Sequence, residues 1–199
     1  MKKSLFISFL FILSISFISC DKEDPIQEQP PIDGATTDVN MGGQNEKNQV
    51  YIDLSKNENT QVQRDSWDLA FYNGNEYRVK INFSTYMAVK PLDPNDLAAV
   101  NTANVQDYFE DVAVATFDPT NMNYIDSPDG SITGTAIAEI SATNAENKVY
   151  LVNLGNNVST VVPSLGFVDM KGTARGWKKM RIVRDGNGYK IMYANLDDT

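Results

Sequence analysis

The stretch Tyr77-Arg78-Val79-Lys80-Ile81-Asn82-Phe83 decides the fold. Every second residue is large and apolar, and the residues between are charged or polar. A period of two is that of a strand with one buried face. The same alternation runs through Val50, Ile52 and Leu54, and through Trp67, Leu69 and Phe71. By that parity Trp67 belongs in the core. Asn73-Gly74 lies between two of these stretches and predicts a tight hairpin, because both turn positions favour positive φ. Further strands are predicted at 131–141, 148–154, 176–184 and 189–196. The last two are joined by Asp185-Gly186-Asn187-Gly188, a second hairpin turn. Only 94–114 reads as short helix, with Asp96 or Asn101 as caps. The expectation is an all-β domain of antiparallel sheets, sandwich-like, with long loops near 91–105, 118–130 and 155–175.

The start of the chain reads differently. Lys2 and Lys3 precede an apolar run, Leu5 to Ile18, broken only by serines. It has the flanks of a secretory signal and is short for a membrane span. Phe17-Ile18-Ser19-Cys20 then reads as a lipobox. Cleavage before Cys20 would leave its sulfur to carry diacylglycerol and its new amino group to carry a further chain. The alternative is an ordinary cleaved signal with a chance cysteine. Asp21-Lys22-Glu23-Asp24 resembles a tag for the outer face of the outer membrane. The predicted organisation is a signal peptide over 1–19, a flexible polar tether over 20–46 and a β domain over 47–199. The tether is rich in proline, glycine and charge and lacks the apolar residues a core needs.

Composition narrows the chemistry. The formal charge is −9, and loss of residues 1–19 with Lys2 and Lys3 takes it to −11. That excludes a nucleic-acid binder. The chain has no histidine and one cysteine. A Ser-His-Asp triad, a Cys-His pair and every histidine metal site are therefore excluded. No glycine-rich phosphate loop is present. The close carboxylates Asp93 and Asp96, Glu110 and Asp111, and Asp126 and Asp129 leave a glycosidase or a calcium site formally open, but solvated loop acids are the simpler reading. The expectation is that the protein is not an enzyme. Among the methionines, Met87, Met180 and Met192 fit core positions. Met122 and Met170 sit in polar loops, where they are either tucked back onto the core or available as soft thioether donors.

Three stretches carry a resemblance. They are Val50-Tyr51-Ile52-Asp53-Leu54-Ser55, Arg64-Asp65-Ser66-Trp67-Asp68-Leu69-Ala70-Phe71-Tyr72 and Tyr77-Arg78-Val79-Lys80-Ile81-Asn82. Together they resemble the HmuY-type haem-binding lipoproteins, in which a strand ending in Trp-Asp runs into an Arg-Val-x-Ile/Leu-Asn strand. The segment 176–184 followed by Gly188-Tyr189-Lys190-Ile191-Met192-Tyr193-Ala194 resembles that family's closing hairpin. The likeness implies an extracellular hemophore that takes haem and passes it to a TonB-dependent outer-membrane receptor. Some members ligate iron through two histidines and others through methionines, and this chain can only be of the second kind. At Asp129-Gly130, a turn that precedes a ligand histidine in the first kind, Ser131 follows instead. The implied haem ligands are Met122 and Met170, with Lys171 and Arg175 as partners for the propionates. Trp177 would be a porphyrin cover or, more simply, a core or rim aromatic. The family pattern also runs on past 189–196, whereas this sequence stops at Thr199, so the expectation is that a final strand is missing and that the sheet edge it would cover is exposed. The competing reading is a glycan-, peptide- or partner-binding surface lipoprotein on the same scaffold. Tyr72, Tyr86 and Tyr124 would then serve as stacking faces.

Overall fold

The computed structural model describes residues 34–116, 118–167 and 171–198. Cys20 and Met170 lie outside the described residues. The folded unit spans Thr37–Thr199. Its strands are β1 (Asn48–Asp53), β2 (Glu58–Gln63), β3 (Leu69–Phe71), β4 (Val79–Ile81), β5 (Ala88–Pro91), β6 (Val149–Asn153), β7 (Trp177–Asp185) and β8 (Gly188–Ala194). All pairings are antiparallel. Two pairs, β1–β2 and β3–β4, stand beside a four-stranded sheet of order β5-β6-β7-β8. One short α-helix, α1 (Thr102–Val105), completes the regular structure of the described residues. The fold is all-β, as the alternation predicts.

The four-stranded sheet is covered on both faces, and the pleat sorts its side chains. Along β6, Tyr150 and Val152 point to one side and join Val79, Ile81, Met87, Val89, Met180 and Ile182. Val149 and Leu151 point to the other side and join Ala88, Leu92, Val100, Val105, Val112 and Leu196. The first side is roofed by β3–β4 with Ile137 and Ile140, and the second by α1 and its flanking turns. A strand buried on both faces loses its polar alternation, which is why β6 reads Val-Tyr-Leu-Val.

Local chemistry sets the turns. Asn101 accepts the backbone N–H of Asn104, and the Asn104 side chain returns the bond to the Asn101 N–H, so the predicted cap holds α1. Asp96 caps the preceding 3-10 turn through the N–H of Ala98. Asp185 pairs with Gly188 across a two-residue turn in which Gly186 takes φ +56°, as expected for this hairpin.

Three expectations fail. Asn73-Gly74 is not a two-residue turn, because the chain runs from Phe71 to its partner Val79 through residues 72–78. The ring of Tyr72 lies against Gly74, where a Cβ would come within 2.2 Å of it, so this glycine makes room rather than supplying positive φ. Segment 131–141 forms no strand. Its Ile137 and Ile140 are buried, but its N–H groups go to isolated acceptors. Ala136 donates to Asp126 Oδ1 (2.9 Å), Ala138 to Tyr150 Oη (3.0 Å) and Ile140 to the Tyr77 carbonyl (2.9 Å). In β1 the apolar alternation is real but finds no core: Ile52 is exposed, and Leu54 beyond it is 89% exposed.

Candidate functional site

Met122 lies on a 3-10 helix, Pro119–Tyr124, whose sequence dictates which way it faces. Asp118 caps it, accepting the Thr120 N–H at 2.8 Å and its hydroxyl at 2.7 Å. Those two bonds, the backbone one first, hold the Asp118 carboxyl below its ordinary range. Asn121 is buried and accepts the N–H and hydroxyl of Thr116. Three residues on, Tyr124 packs against the second core cluster. With 121 and 124 turned inward, a three-residue turn leaves Met122 outward, and it is 51% exposed. It is not tucked onto the core.

Lys171 is exposed, and its Nζ stands 4.4 Å from the centroid of the Tyr86 ring. Tyr86 ends a 3-10 turn with φ +62° and packs on the second cluster. The ribbon that brings Lys171 there is built from 155–157 and 172–175. Asn157 donates to Thr173, Gly172 to Asn157 and Arg175 to Gly155. Asn156 donates to the Thr85 carbonyl (2.8 Å). A Cβ on Gly155 would lie 1.9 Å from that same oxygen, so only glycine lets the ribbon approach.

The helix bearing Met122 packs on β5, with Tyr124 Oη 3.3 Å from Lys90 Nζ. Lys171 sits over Tyr86, just before β5 begins. The structure thus brings Met122 and Lys171 to segments bordering the same edge strand. Beside the Met122 helix lies a cluster that the sequence reading missed. Lys90 Nζ is 2.9 Å from Asp111 and about equally placed between the rings of Tyr108 (4.9 Å) and Tyr124 (5.0 Å). Burial works against the charged amine. Asp111 and Tyr124 outweigh it and hold Lys90 above its ordinary range. No sequence signal marks this group, since its members come from distant segments.

The other expected residues are otherwise engaged. Arg175 is paired with Asp68 at 2.7 Å and donates to the Leu154 carbonyl (3.3 Å), so it faces a carboxylate of its own. Trp177 stacks on Phe109 at 4.1 Å and 14°, which makes it a rim aromatic with one face already covered. Lys178 bonds Asn195, and Lys179 is buried against the Val100 carbonyl (2.7 Å). Met87 and Met180 are core residues, as expected, whereas Met192 is only half-buried. Tyr72 is exposed, but Tyr86 and Tyr124 are only partly so.

The carboxylates are structural where the structure defines them. Asp126 accepts the N–H groups of Ile81 and Ala136, and burial pushes its carboxyl upward despite them. Asp129 accepts the Ser131 N–H, and Asp111 holds Lys90. Among the described residues no three His, Cys, Asp or Glu side chains gather as a metal site. Several clefts open on the described residues, two of them beside β5 or under the β3–β4 roof. One, of about 380 Å³, runs beside Lys90, Asp93, Asn104 and Tyr108. The other, of about 220 Å³, is lined by Leu69, Met87, Val152, Leu154, Met180 and Tyr193. It falls below the roughly 300–1,000 Å³ usual for ligand pockets.

No curated protein and no solved structure matches the chain. The family model described as HmuY protein matches residues 45–194, from just before β1 to the last residue of β8. That match covers both core clusters almost entirely, along with Met122, Lys171 and Arg175, and the chain therefore belongs to the HmuY family.

Proposed function

We propose that this protein is a surface lipoprotein that binds haem and hands it to a TonB-dependent outer-membrane receptor. The observation that carries the reading is Met122, a thioether held outward on a capped helix in an HmuY-family chain without histidine. A neutral thioether is a competent axial donor to haem iron. In this reading Met122 and Met170 hold the iron, and Lys171 meets a propionate. Arg175 would join only by giving up Asp68. The aromatic ground between the two segments, Tyr86 and Tyr124, supplies partly apolar surface for the macrocycle.

The test is an absorbance titration of the unlipidated domain with haem in both oxidation states. Thioethers are soft and Fe(II) is softer than Fe(III), so reduction should tighten binding and sharpen the low-spin bands. Met122→Ala and Met170→Ala should each weaken binding, and the pair should abolish the low-spin spectrum. Loss from Met87→Ala alone would move the ligands to the core-side cleft. No saturable change in either oxidation state removes haem altogether. The 380 Å³ cleft beside the exposed Tyr108 would then favour the glycan-binding reading, to be tested on a glycan array. The anchor is tested apart from haem. Cys20→Ala should abolish palmitate labelling and membrane partition.

A further inference from the structure

The two edges of the four-stranded sheet differ. The β5 edge is four residues long, ends in Pro91 and has the Met122 helix packed on it. Proline offers no N–H, and a short, covered edge is a poor template for a further strand. The β8 edge runs for seven residues, Gly188–Ala194, with no proline and with Lys190 as its one charge. Its Ile191 and Tyr193 are 36% and 70% exposed.

The ladder fixes which backbone groups of β8 face outward. β7 and β8 close on the pair Asp185–Gly188 across their two-residue turn. Bonded and non-bonded pairs alternate along an antiparallel ladder, so Gly188, Lys190, Met192 and Ala194 bond to β7. Tyr189, Ile191 and Tyr193 then turn their N–H and C=O groups away from it. Among the described residues these outward groups take no backbone partner. The open edge is therefore a row of unpaired donors and acceptors beside two exposed apolar side chains.

The sequence of β8 complements itself. Ile191 is its central residue. A twofold axis there sets Ile191 against Ile191 of a second copy, Tyr193 against its Tyr189, and Gly188 against its Ala194. Outward groups then meet outward groups along the whole strand, and the two Ile191 residues exchange both bonds. An edge lysine ordinarily discourages pairing. In this register Lys190 faces Met192 of the second copy, so like charges stay apart. Moving the axis to Lys190 would bring the lysines together and oppose groups already bonded to β7. We infer that the protein forms a twofold dimer through β8, joining two four-stranded sheets into one. The contact is isologous, so it closes on itself rather than growing into a fibre. It does not depend on haem or on the lipid anchor.

The experiment uses the unlipidated chain from residue 20 with Cys20→Ser. Both core clusters lie within Val79–Leu196, so this chain retains its whole core. Cys20 is the sole cysteine, so any thiol added to this chain stands alone. Sedimentation over a concentration series should show a monomer–dimer equilibrium. Ile191→Lys brings two ammonium groups to the axis and should raise the dissociation constant at least about tenfold. Tyr193→Lys, at a more exposed position, should do the same and serves if Ile191→Lys does not fold. Under copper–phenanthroline oxidation Ile191→Cys should cross-link, because residues paired across the axis have Cα atoms about 5.5 Å apart. Tyr193→Cys should not, because its counterpart lies about 13 Å farther along the strand. A chain that stays monomeric at every concentration overturns the inference. So does a dimer that survives both lysine variants, or one that links through Tyr193→Cys and not through Ile191→Cys. The rival surface is the 161–167 loop, where Leu165 and Phe167 are 94% and 69% exposed. If Leu165→Asp with Phe167→Asp splits the dimer while the lysine variants leave it intact, that loop is the interface and β8 is not.

Discussion

The two well-paired hairpins, β1–β2 and β7–β8, differ in one respect that organises the molecule. Both pair in register over six residues or more. In β7, Met180 and Ile182 are buried under the β3–β4 roof, and Lys179 is buried beneath the α1 side. In β1, Tyr51 and Ile52 face solvent and Val50 is only half-buried. Alternation specifies an amphipathic strand, but only a second layer turns its apolar face into core. A hairpin without that layer is held by its own ladder and by what ties its base.

The base is tied by Arg64 and Asn82. Arg64 is buried and donates to the carbonyls of Glu46 and Ser84. Asn82 donates to the carbonyls of Arg64 and Trp67 at 2.6 and 2.7 Å. Hydrogen bonds at the hairpin's base thus tie it to the rest of the fold.

The comparison breaks first in the central sheet. Leu151→Ala, at a fully buried position, should cost about 2–5 kcal/mol in urea unfolding. A loss under about 1 kcal/mol would mean that this sheet is not the core. Asn82→Ala comes next. It leaves two inward carbonyls without their donor and should cost about 2–4 kcal/mol, with hydrogen exchange rising mainly in β1–β2. Exchange rising uniformly would show that the hairpin is not a separate unit.

Trp67→Ala sharpens the boundary. Its parity predicts a core position and a cost of about 3–5 kcal/mol. The structure leaves it half-buried, with Nε1 bonded to Gln49 at 3.0 Å, so the expected cost falls to about 1–2 kcal/mol. A measured value in the higher range would restore the parity reading. Ile52→Ala should be the smallest, within about 0.5 kcal/mol.

Lys90 gives the comparison a pH axis. Its folded pKa is raised, so the stability it contributes is complete below the ordinary lysine value of 10.5 and is lost as pH rises through the folded value. The melting-temperature gap between the parent and Asp111→Asn should therefore be widest near neutral pH and should shrink as the pH rises beyond 10.5. A gap that stays constant would mean that the ion pair contributes nothing as a charge pair.

By itself the sequence determined the class and much of the local detail. The alternation at Val79–Ile81, the Asp185–Gly188 turn, the Asn101 cap and the core places of Met87 and Met180 all follow from short-range rules. So does the exclusion of histidine chemistry, which left thioethers as the soft donors. Strand β2 was illegible because Glu58–Gln63 has only Val62 to signal a face, and β5 because four residues carry no period. Tertiary structure alone decided which alternating stretches are buried, that Arg175 faces Asp68, that Trp177 stacks on Phe109, and that Met122 looks outward. The reason is physical. Periodicity and turn chemistry act between residues near in the chain, whereas burial and pairing depend on which distant surface arrives opposite, and no local pattern encodes that partner.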